Sequence, residues 1–129
     1  MTSKRTPQRK HRAHSAAVPL SVLRGIKLFA TDVDGVLTDA GMYYSESGDE
    51  WKKFNTRDGM GIKLLQRAGI ITAIVTQERT KLVARRAEKL AIPELHQGVM
   101  DKLTVIREMA SRHGLSLKQV AYIGDDVND

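Results

Sequence analysis

The sequence has 129 residues, of which 41% are hydrophobic and 28% charged, so it can form one globular domain with a modest core. It contains no cysteine, which excludes a disulfide scaffold, thiol catalysis and a cysteine-ligated metal, and we expect a cytoplasmic location. No apolar run approaches the roughly 18 residues that a membrane span requires, so we expect no membrane partner.

The net charge of +6 comes from the N-terminal end of the sequence. Residues 1–31 hold seven basic and no acidic residues, whereas residues 32–129 hold 14 basic and 15 acidic ones. No aromatic residue interleaves the N-terminal charges, so we expect no nucleic-acid partner. Residues 1–20 lack hydrophobic periodicity, which predicts a disordered basic leader before a domain over residues 21–129. A solvated arm, an organellar transit peptide and a misassigned start codon are all open explanations of this leader.

The first predicted strand is followed by a hairpin. Residues 26–31 form a short, mostly apolar run that is typical of a buried strand and ends at an acidic loop. Two β-prone pieces, 42–44 and 51–54, flank the turn-rich residues 45–49. This pattern predicts a β-hairpin over residues 41–54.

Helices and strands alternate after the hairpin. Apolar residues at near-helical spacing predict three helices, over residues 58–68, 79–90 and 101–113. Uncharged, apolar runs predict strands over residues 70–75 and 120–123, with a brief extended segment near Leu95. Because strands that alternate with helices form parallel sheets with right-handed crossovers, the predicted fold is α/β with a doubly wound parallel sheet.

Polar residues follow the ends of three predicted strands. They are Asp32 and Asp34 after the first strand, Thr76 and Gln77 after the second, and Asp125 and Asp126 after the last. The carboxyl ends of parallel strands open into the loops where ligands bind, so we expect these residues to converge. Carboxylates that meet in a crevice require a cation, and an all-oxygen set suits Mg²⁺.

The same residues are suited to phosphoryl transfer. A phosphate could be bound by the backbone N–H groups of Gly35 and Gln77, the Thr76 hydroxyl and the Lys102 ammonium. One carboxylate would attack this phosphate, while Asp34 protonates the leaving oxygen and then activates water. Each residue alone is also explained as an ordinary turn, strand end or solvated helix residue. The prediction therefore depends on their joint order along the chain.

In this order, the residues resemble the four motifs of the haloacid dehalogenase superfamily of phosphatases. Residues 32–39, with the sequence DVDGVLTD, are similar to the nucleophile motif of that family. Its second, third and fourth motifs are matched by Thr76, Lys102 and residues 124–129. The resemblance covers roughly residues 25–129.

This resemblance implies a role for each residue. Asp32 would be the nucleophile that forms an aspartyl-phosphate, and Asp34 the general acid and base. The phosphate would be held by Thr76 and Lys102. Mg²⁺ would be bound by Asp32, the main-chain carbonyl of Asp34 and Asp125, with Asp126, Asn128 and Asp129 supporting the site from the fourth motif.

A narrower resemblance is to the nearly capless branch that acts on phosphorylated ulosonic acids. It rests on residues 41–44, 51–55, 97–102 and 122–126. The branch implies a phosphorylated 2-keto-3-deoxy sugar acid of eight or nine carbons as substrate, in lipopolysaccharide or sialic acid biosynthesis. It also implies a homotetramer in which the hairpin over residues 41–54 covers a neighbour's site as a flap.

Two stretches of the sequence indicate different substrates. Residues 57–62 resemble the octulosonate (eight-carbon) type, whereas residues 76–80 resemble the nononate (nine-carbon) type. In the latter type, a glutamate at the position of Glu78 helps to place basic residues near the substrate carboxylate. Arg86 and Lys89 lie three residues apart on one predicted helical face and could bind that carboxylate, although a solvated basic face explains them equally well.

The sequence departs from the family pattern in two places. Gln77 replaces the glycine that is usual at this position, and its side chain could crowd the phosphate loop. The sequence also stops at Asp129, inside the fourth motif, whereas a doubly wound sheet needs a further helix to cover its face. We therefore expect the sequence to be a C-terminally truncated fragment.

Two other classes of function are weighed against a phosphatase. A phospho-accepting receiver domain has a similar sheet, but its accepting aspartate follows a middle strand, where this sequence has Thr76. A catalytically silent assembly module, like the one fused to animal acylneuraminate cytidylyltransferases, stays open as an alternative. Because all the chemical residues are present, we favour an active Mg²⁺-dependent phosphatase.

Overall fold

The computed structural model describes residues 17–125, and its centre is a four-stranded parallel sheet. In chain order, the elements are α1 (Leu20–Gly25), β1 (Leu28–Thr31), β2 (Tyr43–Tyr44), β3 (Glu50–Trp51), α2 (Thr56–Arg67), β4 (Ile71–Val75), α3 (Lys81–Lys89), β5 (Glu94–His96), α4 (Lys102–Arg112) and β6 (Val120–Ile123). The strand order is β5-β4-β1-β6. The predicted α/β fold is confirmed, whereas the predicted roles of Asp126, Asn128 and Asp129 fall outside the described residues.

Strand β1 lies at the centre of the sheet and pairs on both sides. Its register with β4 runs from Leu28 opposite Ile71 to Thr31 opposite Ile74. Its register with β6 ends with Thr31 opposite Ile123. All of these pairings are parallel, so the residues that follow the three strands emerge at one edge of the sheet.

Helices cover both faces of the sheet, as the doubly wound prediction requires. On β4, Ile74 packs on the side of α2 and α3, whereas Ala73 and Val75 pack on the side of α4. This alternation follows from the two-residue period of a strand. The first cluster comprises Val33, Leu37, Ile62, Ile74, Val83, Ala87, Leu90 and Ile92, and the second Leu28, Ala30, Ala73, Val75, Ile106 and Met109.

Each of the three long helices begins at a capping side chain. Asn55 accepts a hydrogen bond from the Arg57 backbone N–H, Thr80 caps α3, and Asp101 caps α4. Such caps satisfy backbone donors that the first helical turn leaves unpaired. The helices begin and end within two residues of their predicted bounds, and α4 therefore starts at Lys102, beside the strand ends.

The hairpin is shorter than the sequence predicts. Only Tyr43 opposite Trp51 and Tyr44 opposite Glu50 pair between β2 and β3. An isolated bridge between Thr38 and Phe54 closes the base of the hairpin. The second predicted piece, 51–54, leaves the ladder after Trp51, because the next side chain turns toward the strand ends of the main sheet.

Helix α1 was not predicted. It begins at Leu20, within the predicted leader, and its apolar side chains Leu20, Val22 and Leu23 are all exposed. A helix of only six residues is too short for a helical period to be detected in the sequence. No helix between residues 17 and 125 has the length and apolar character needed to span a membrane.

One part of the sheet is only partly covered by the residues that the structure describes. A cleft of about 360 Å³ lies between α2 and the face of β1 and β6 that points away from α4. Phe29, Leu65 and the exposed Ile123 are among its lining residues. Among residues 17–125, no element fully covers the apolar side chains beside β6.

Candidate active site

A cleft lies at the carboxyl edge of the sheet, where the strands end. Its volume is about 490 Å³, and it is lined by Asp32, Asp34, Ala40, Thr76, Gln77, Glu78, Lys102 and Asp125. This volume is in the range of small-molecule sites. The structure thus brings together the predicted residues that follow β1, β4 and β6.

Asp32 and Lys102 form a buried ion pair in this cleft. The Lys102 Nζ lies 3.0 Å from Asp32 Oδ2, and the two residues are only 4% and 7% exposed. Asp32 Oδ1 accepts a hydrogen bond of 2.7 Å from the Val33 backbone N–H. Because a buried carboxylate needs such compensation, the ammonium and the N–H group offset the cost of burying Asp32, the predicted nucleophile.

The Asp34 side chain is turned toward Lys52, a lysine of the hairpin for which the sequence predicts no role. Lys52 Nζ donates to Asp34 Oδ1 at 2.8 Å and to Glu78 Oε2 at 2.6 Å. The Thr38 hydroxyl donates to the same Asp34 oxygen at 3.4 Å. Lys52 belongs to one of the stretches that carry the narrower family resemblance, which was the only signal for it in the sequence.

Lys52, Asp34 and Glu78 shift one another's pKa values. Burial acts to raise the pKa of Asp34, but hydrogen bonds with Lys52 and Glu78 and the lysine charge outweigh it, so this pKa is lowered. The Lys52 hydrogen bond acts to lower the pKa of Glu78, but hydrogen bonding with Asp34, burial and the Asp34 charge raise it overall. Burial acts to lower the pKa of Lys52, but its two carboxylate partners raise it. Lys52 therefore remains a cation between the two acids.

Gly35 lies beside Asp125 and is not among the residues that line the cleft. Its φ is +80°, and a Cβ at this position would overlap with the Asp125 carboxylate. The Gly35 backbone N–H donates to the Thr38 hydroxyl at 3.4 Å. The structure thus places Gly35 against a predicted metal ligand, whereas its predicted role as a phosphate donor stays a prediction.

The two residues after β4 differ in burial. Thr76 is buried, and its backbone N–H donates to the His96 carbonyl at 2.9 Å, so its position is fixed by strand pairing. Gln77 is exposed at the rim of the cleft. Both residues line the cleft, and the predicted contacts of the Thr76 hydroxyl and the Gln77 backbone N–H with a phosphate stay predictions.

Arg86 and Lys89 line a second cleft of about 420 Å³, separate from Glu78. The Arg86 guanidinium lies 5.5 Å from the centroid of the Phe54 ring and donates to the Asn55 carbonyl at 3.1 Å. Lys89 is exposed in the same cleft. Lys52 also lines this second cleft, so it lies between the two halves of the predicted substrate-binding set.

The oxygen donors in the first cleft suit a hard divalent cation. Among residues 17–125, no three or more His, Cys, Asp or Glu side chains are arranged to hold a metal. The predicted set has two carboxylates, Asp32 and Asp125, and the main-chain carbonyl of Asp34, and both carboxylates line one cleft. An all-oxygen set that leaves room for waters and phosphate oxygens fits Mg²⁺.

Known proteins are similar to this chain in sequence and in fold. The 3-deoxy-D-manno-octulosonate 8-phosphate phosphatase of Yersinia pestis is 45% identical over 104 residues, which are 81% of this chain and 56% of that enzyme. The crystal structure of the same enzyme from Moraxella catarrhalis, with magnesium, phosphate and a KDO molecule, matches with a TM-score of 0.82 and 43% identity. That match covers 84% of this chain and 63% of the other.

A third match names the superfamily. A Legionella pneumophila protein described as a hydrolase of subfamily III A of the haloacid dehalogenase superfamily has a TM-score of 0.82 and 40% identity over 85% of this chain and 60% of that one. No family model matches the chain. The chain spans little more than half of the length of the Yersinia relative. In sequence and in fold, this chain is similar to members of the haloacid dehalogenase superfamily, among them 3-deoxy-D-manno-octulosonate 8-phosphate phosphatases.

Proposed function

We propose that this chain carries the catalytic core of a Mg²⁺-dependent phosphatase that hydrolyses a phosphorylated 2-keto-3-deoxy sugar acid. The observation that carries the proposal is the cleft in which Asp32, Thr76, Lys102 and Asp125 meet at the ends of β1, β4 and β6. A buried carboxylate beside an ammonium, with further donors around it, is a set that stabilises charge during phosphoryl transfer.

The first chemical step would form an aspartyl-phosphate. An Asp32 carboxylate oxygen attacks the phosphorus, the P–O bond to the sugar breaks, and the sugar oxygen takes a proton from Asp34. Lys102 lies against Asp32, so it would also lie beside the bound phosphate and neutralise part of its charge. Thr76 would donate its hydroxyl to a phosphate oxygen.

The second step would release phosphate. A water attacks the phosphorus of the aspartyl-phosphate, its proton passes to Asp34, and the P–O bond to Asp32 breaks. This step needs Asp34 as a carboxylate, which is the form that Lys52 favours. The first step needs the protonated form, which the negative charge of an arriving phosphate would favour. One residue thereby serves as acid and then as base.

The metal would be held by Asp32, Asp125 and the Asp34 main-chain carbonyl. When bound, Mg²⁺ would neutralise phosphate charge in the cleft. The magnesium in the Moraxella catarrhalis structure supports this assignment. It is consistent with the all-oxygen character of the donors that line the cleft.

We propose the eight-carbon octulosonate 8-phosphate as the preferred substrate, with the nine-carbon nononate 9-phosphate as the alternative. The names of the curated relatives support the former, and a role in lipopolysaccharide biosynthesis follows from it. Glu78, Arg86 and Lys89 stay the predicted contacts of the sugar acid. The cytoplasmic location also stays a prediction.

We further propose that the hairpin takes part in a homotetramer. Tyr43, Tyr44 and Trp51 are 46%, 67% and 49% exposed on a ribbon of two residue pairs. An isolated two-stranded hairpin is only marginally stable, so these aromatic side chains would gain stability by packing on a neighbouring subunit. Analytical ultracentrifugation of the chain and of a Tyr44→Ser/Trp51→Ser variant tests this, because a tetrameric variant would contradict the assignment.

The activity is tested by measuring phosphate release from both sugar acid phosphates, with and without Mg²⁺. We expect Mg²⁺-dependent release, faster from the eight-carbon substrate, and none from Asp32→Asn. Release from neither substrate contradicts the substrate class and favours the catalytically silent module. Activity that survives in Asp32→Asn contradicts the covalent mechanism.

A further inference from the structure

Lys52 connects the hairpin to the predicted general acid and base. It follows β3 directly, and its Nζ reaches both Asp34 at 2.8 Å and Glu78 at 2.6 Å. Its side chain is covered, whereas the side chains of Asp34 and Glu78 remain 33% and 43% exposed. The lysine is therefore the buried centre of a three-residue ionic cluster, which we name the Lys52 bridge (Lys52, Asp34 and Glu78).

Lys52 is a nearer hydrogen-bond donor to the Asp34 carboxylate than Thr38 is. Among the described residues, the hydrogen bonds to the Asp34 side chain from Lys52 and Thr38 measure 2.8 Å and 3.4 Å. The shorter bond is also charge-assisted and therefore the stronger of the two. Lys52 also donates a hydrogen bond of 2.6 Å to Glu78, which holds the lysine in place.

The bridge also explains how the hairpin leaves its ladder. After the pair Tyr43–Trp51 the second strand turns, and Lys52 enters the space between the loops that follow β1 and β4. Met42, which directly precedes β2, contacts the same ammonium through its sulfur at 3.7 Å. The position of the hairpin and the position of Asp34 are thus connected through one side chain.

We propose that Lys52 is a positioning residue, which orients the Asp34 carboxylate toward the leaving oxygen and is itself held in place by Glu78. This inference rests on the proposed function, because it assigns Lys52 a part in the same proton transfer. A positioning residue of this kind acts through Asp34 and does not contact the reacting atoms. Its loss should therefore affect only substrates whose leaving group needs a proton.

The test compares two phosphate esters in the same variant. A sugar alkoxide is a poor leaving group and needs the proton of Asp34, whereas the phenolate of p-nitrophenyl phosphate leaves without one. The ratio kcat/KM reports the steps up to departure of the leaving group, so it isolates this proton transfer. For Lys52→Met we expect kcat/KM to fall about tenfold to a hundredfold for octulosonate 8-phosphate and less than about threefold for p-nitrophenyl phosphate.

Three further variants separate positioning from general damage. Lys53→Met, one residue further along the chain, removes an exposed lysine and should match the parent protein with both esters. Glu78→Gln should lower kcat for the sugar acid phosphate in the same sense as Lys52→Met but more mildly, and this fall in kcat provides the test if Lys52→Met does not fold. A change in KM alone would instead report the predicted contact of Glu78 with the sugar acid. Lys52→Arg keeps the positive charge and should recover part of the lost kcat/KM for the sugar acid phosphate.

The outcomes distinguish this inference from the proposed function. Three results with an active parent protein would overturn the positioning role. In these, Lys52→Met lowers kcat/KM equally for both esters, changes only KM, or has the same kinetics as the parent. If the parent protein hydrolyses neither ester, the proposed function fails. Amide hydrogen exchange of residues 42–54 then tests whether the Lys52 bridge holds the hairpin in place. Faster exchange in Lys52→Met and Glu78→Gln than in Lys53→Met supports it, and equal exchange overturns it.

Discussion

Gly35 lies so close to Asp125 that a side chain at position 35 would overlap with the Asp125 carboxylate. The approach arises because Thr31 and Ile123 are opposite each other at the ends of β1 and β6, so that the two following loops meet. Gly35 also has a φ of +80°, in the left-handed region that glycine adopts without strain. The backbone conformation of Gly35 and its lack of a side chain together allow Asp125 to lie next to the loop that carries Asp32.

We expect Gly35→Ala to displace Asp125 and to weaken Mg²⁺ binding. Misplacement of a metal ligand costs on the order of tenfold to a hundredfold in metal affinity or activity. Calorimetric titration with Mg²⁺ and the Mg²⁺ dependence of phosphate release measure the loss.

Gly69→Ala is the matched control for this change. Gly69 also has a φ of +80°, but a Cβ there meets nothing within 4 Å. It should therefore lose about 1 kcal/mol of stability through backbone strain and retain its Mg²⁺ affinity. Equal Mg²⁺ affinity in the two variants would show that the contact with Asp125 does not matter.

We expect Lys102→Ala to destabilise the protein as well as to weaken phosphate binding. The variant leaves Asp32, only 7% exposed, without the ammonium at 3.0 Å. Removal of one partner of a buried ion pair costs about 3–5 kcal/mol. Urea unfolding measures this cost, and a rise in the KM for the phosphate ester measures the loss of binding.

Lys81→Ala provides the control for the lysine deletion. Lys81 is the first residue of α3, as Lys102 is of α4, but it is exposed. Its removal should change the free energy of unfolding by less than about 0.5 kcal/mol. If Lys102→Ala is as stable as Lys81→Ala, the buried pair does not contribute as the geometry indicates.

The strand-end residues could be predicted because local sequence fixes them. Asp32, Thr76 and Asp125 each follow a recognisable strand, and parallel strands place their carboxyl ends together whatever the rest of the chain does. The position of each residue then depends only on the existence and direction of its strand. Sequence patterns report both of these properties well.

Contacts between distant segments could not be predicted in the same way. Lys52 is 18 residues from Asp34 and 26 from Glu78, and its role depends on how the hairpin folds back over the sheet. Arg86 and Lys89 share a predicted helical face, but which cleft that face lines depends on the packing of α3 against Phe54. Neither relationship has a local sequence signature.

The stability of the protein in acid should depend on Glu94, outside the active site. Its carboxylate accepts hydrogen bonds from Arg112 at 2.8 Å and 3.1 Å and contacts His96 and His113 at 2.7 Å and 2.9 Å. The Arg112 hydrogen bonds are the main reason why the pKa of Glu94 falls from 4.5 to about 2, against an opposing effect of burial. A lowered carboxyl pKa stabilises the folded state above pH 4.5, and the stabilisation is lost as the pH falls toward 2.

Glu94→Gln should remove this pH dependence. Above about pH 5 we expect the variant to be less stable by about 1–3 kcal/mol, since solvent around Arg112 screens part of the interaction. The difference should shrink toward zero by about pH 2, where Glu94 becomes protonated in both states. Urea unfolding of both proteins between pH 7 and pH 2 gives the two curves, and a difference independent of pH would contradict the assignment.

Arg86 and Lys89 should differ in what they do for the protein, although both line the second cleft. Arg86 stacks over Phe54 and bonds to the Asn55 carbonyl, so Arg86→Met should cost about 1–2 kcal/mol of stability. Lys89 is exposed, and Lys89→Met should leave stability unchanged. If both bind the substrate carboxylate, each variant raises the KM for the sugar acid phosphate but not for p-nitrophenyl phosphate, which has no carboxylate. A KM that does not change in Lys89→Met would remove it from the substrate-binding set.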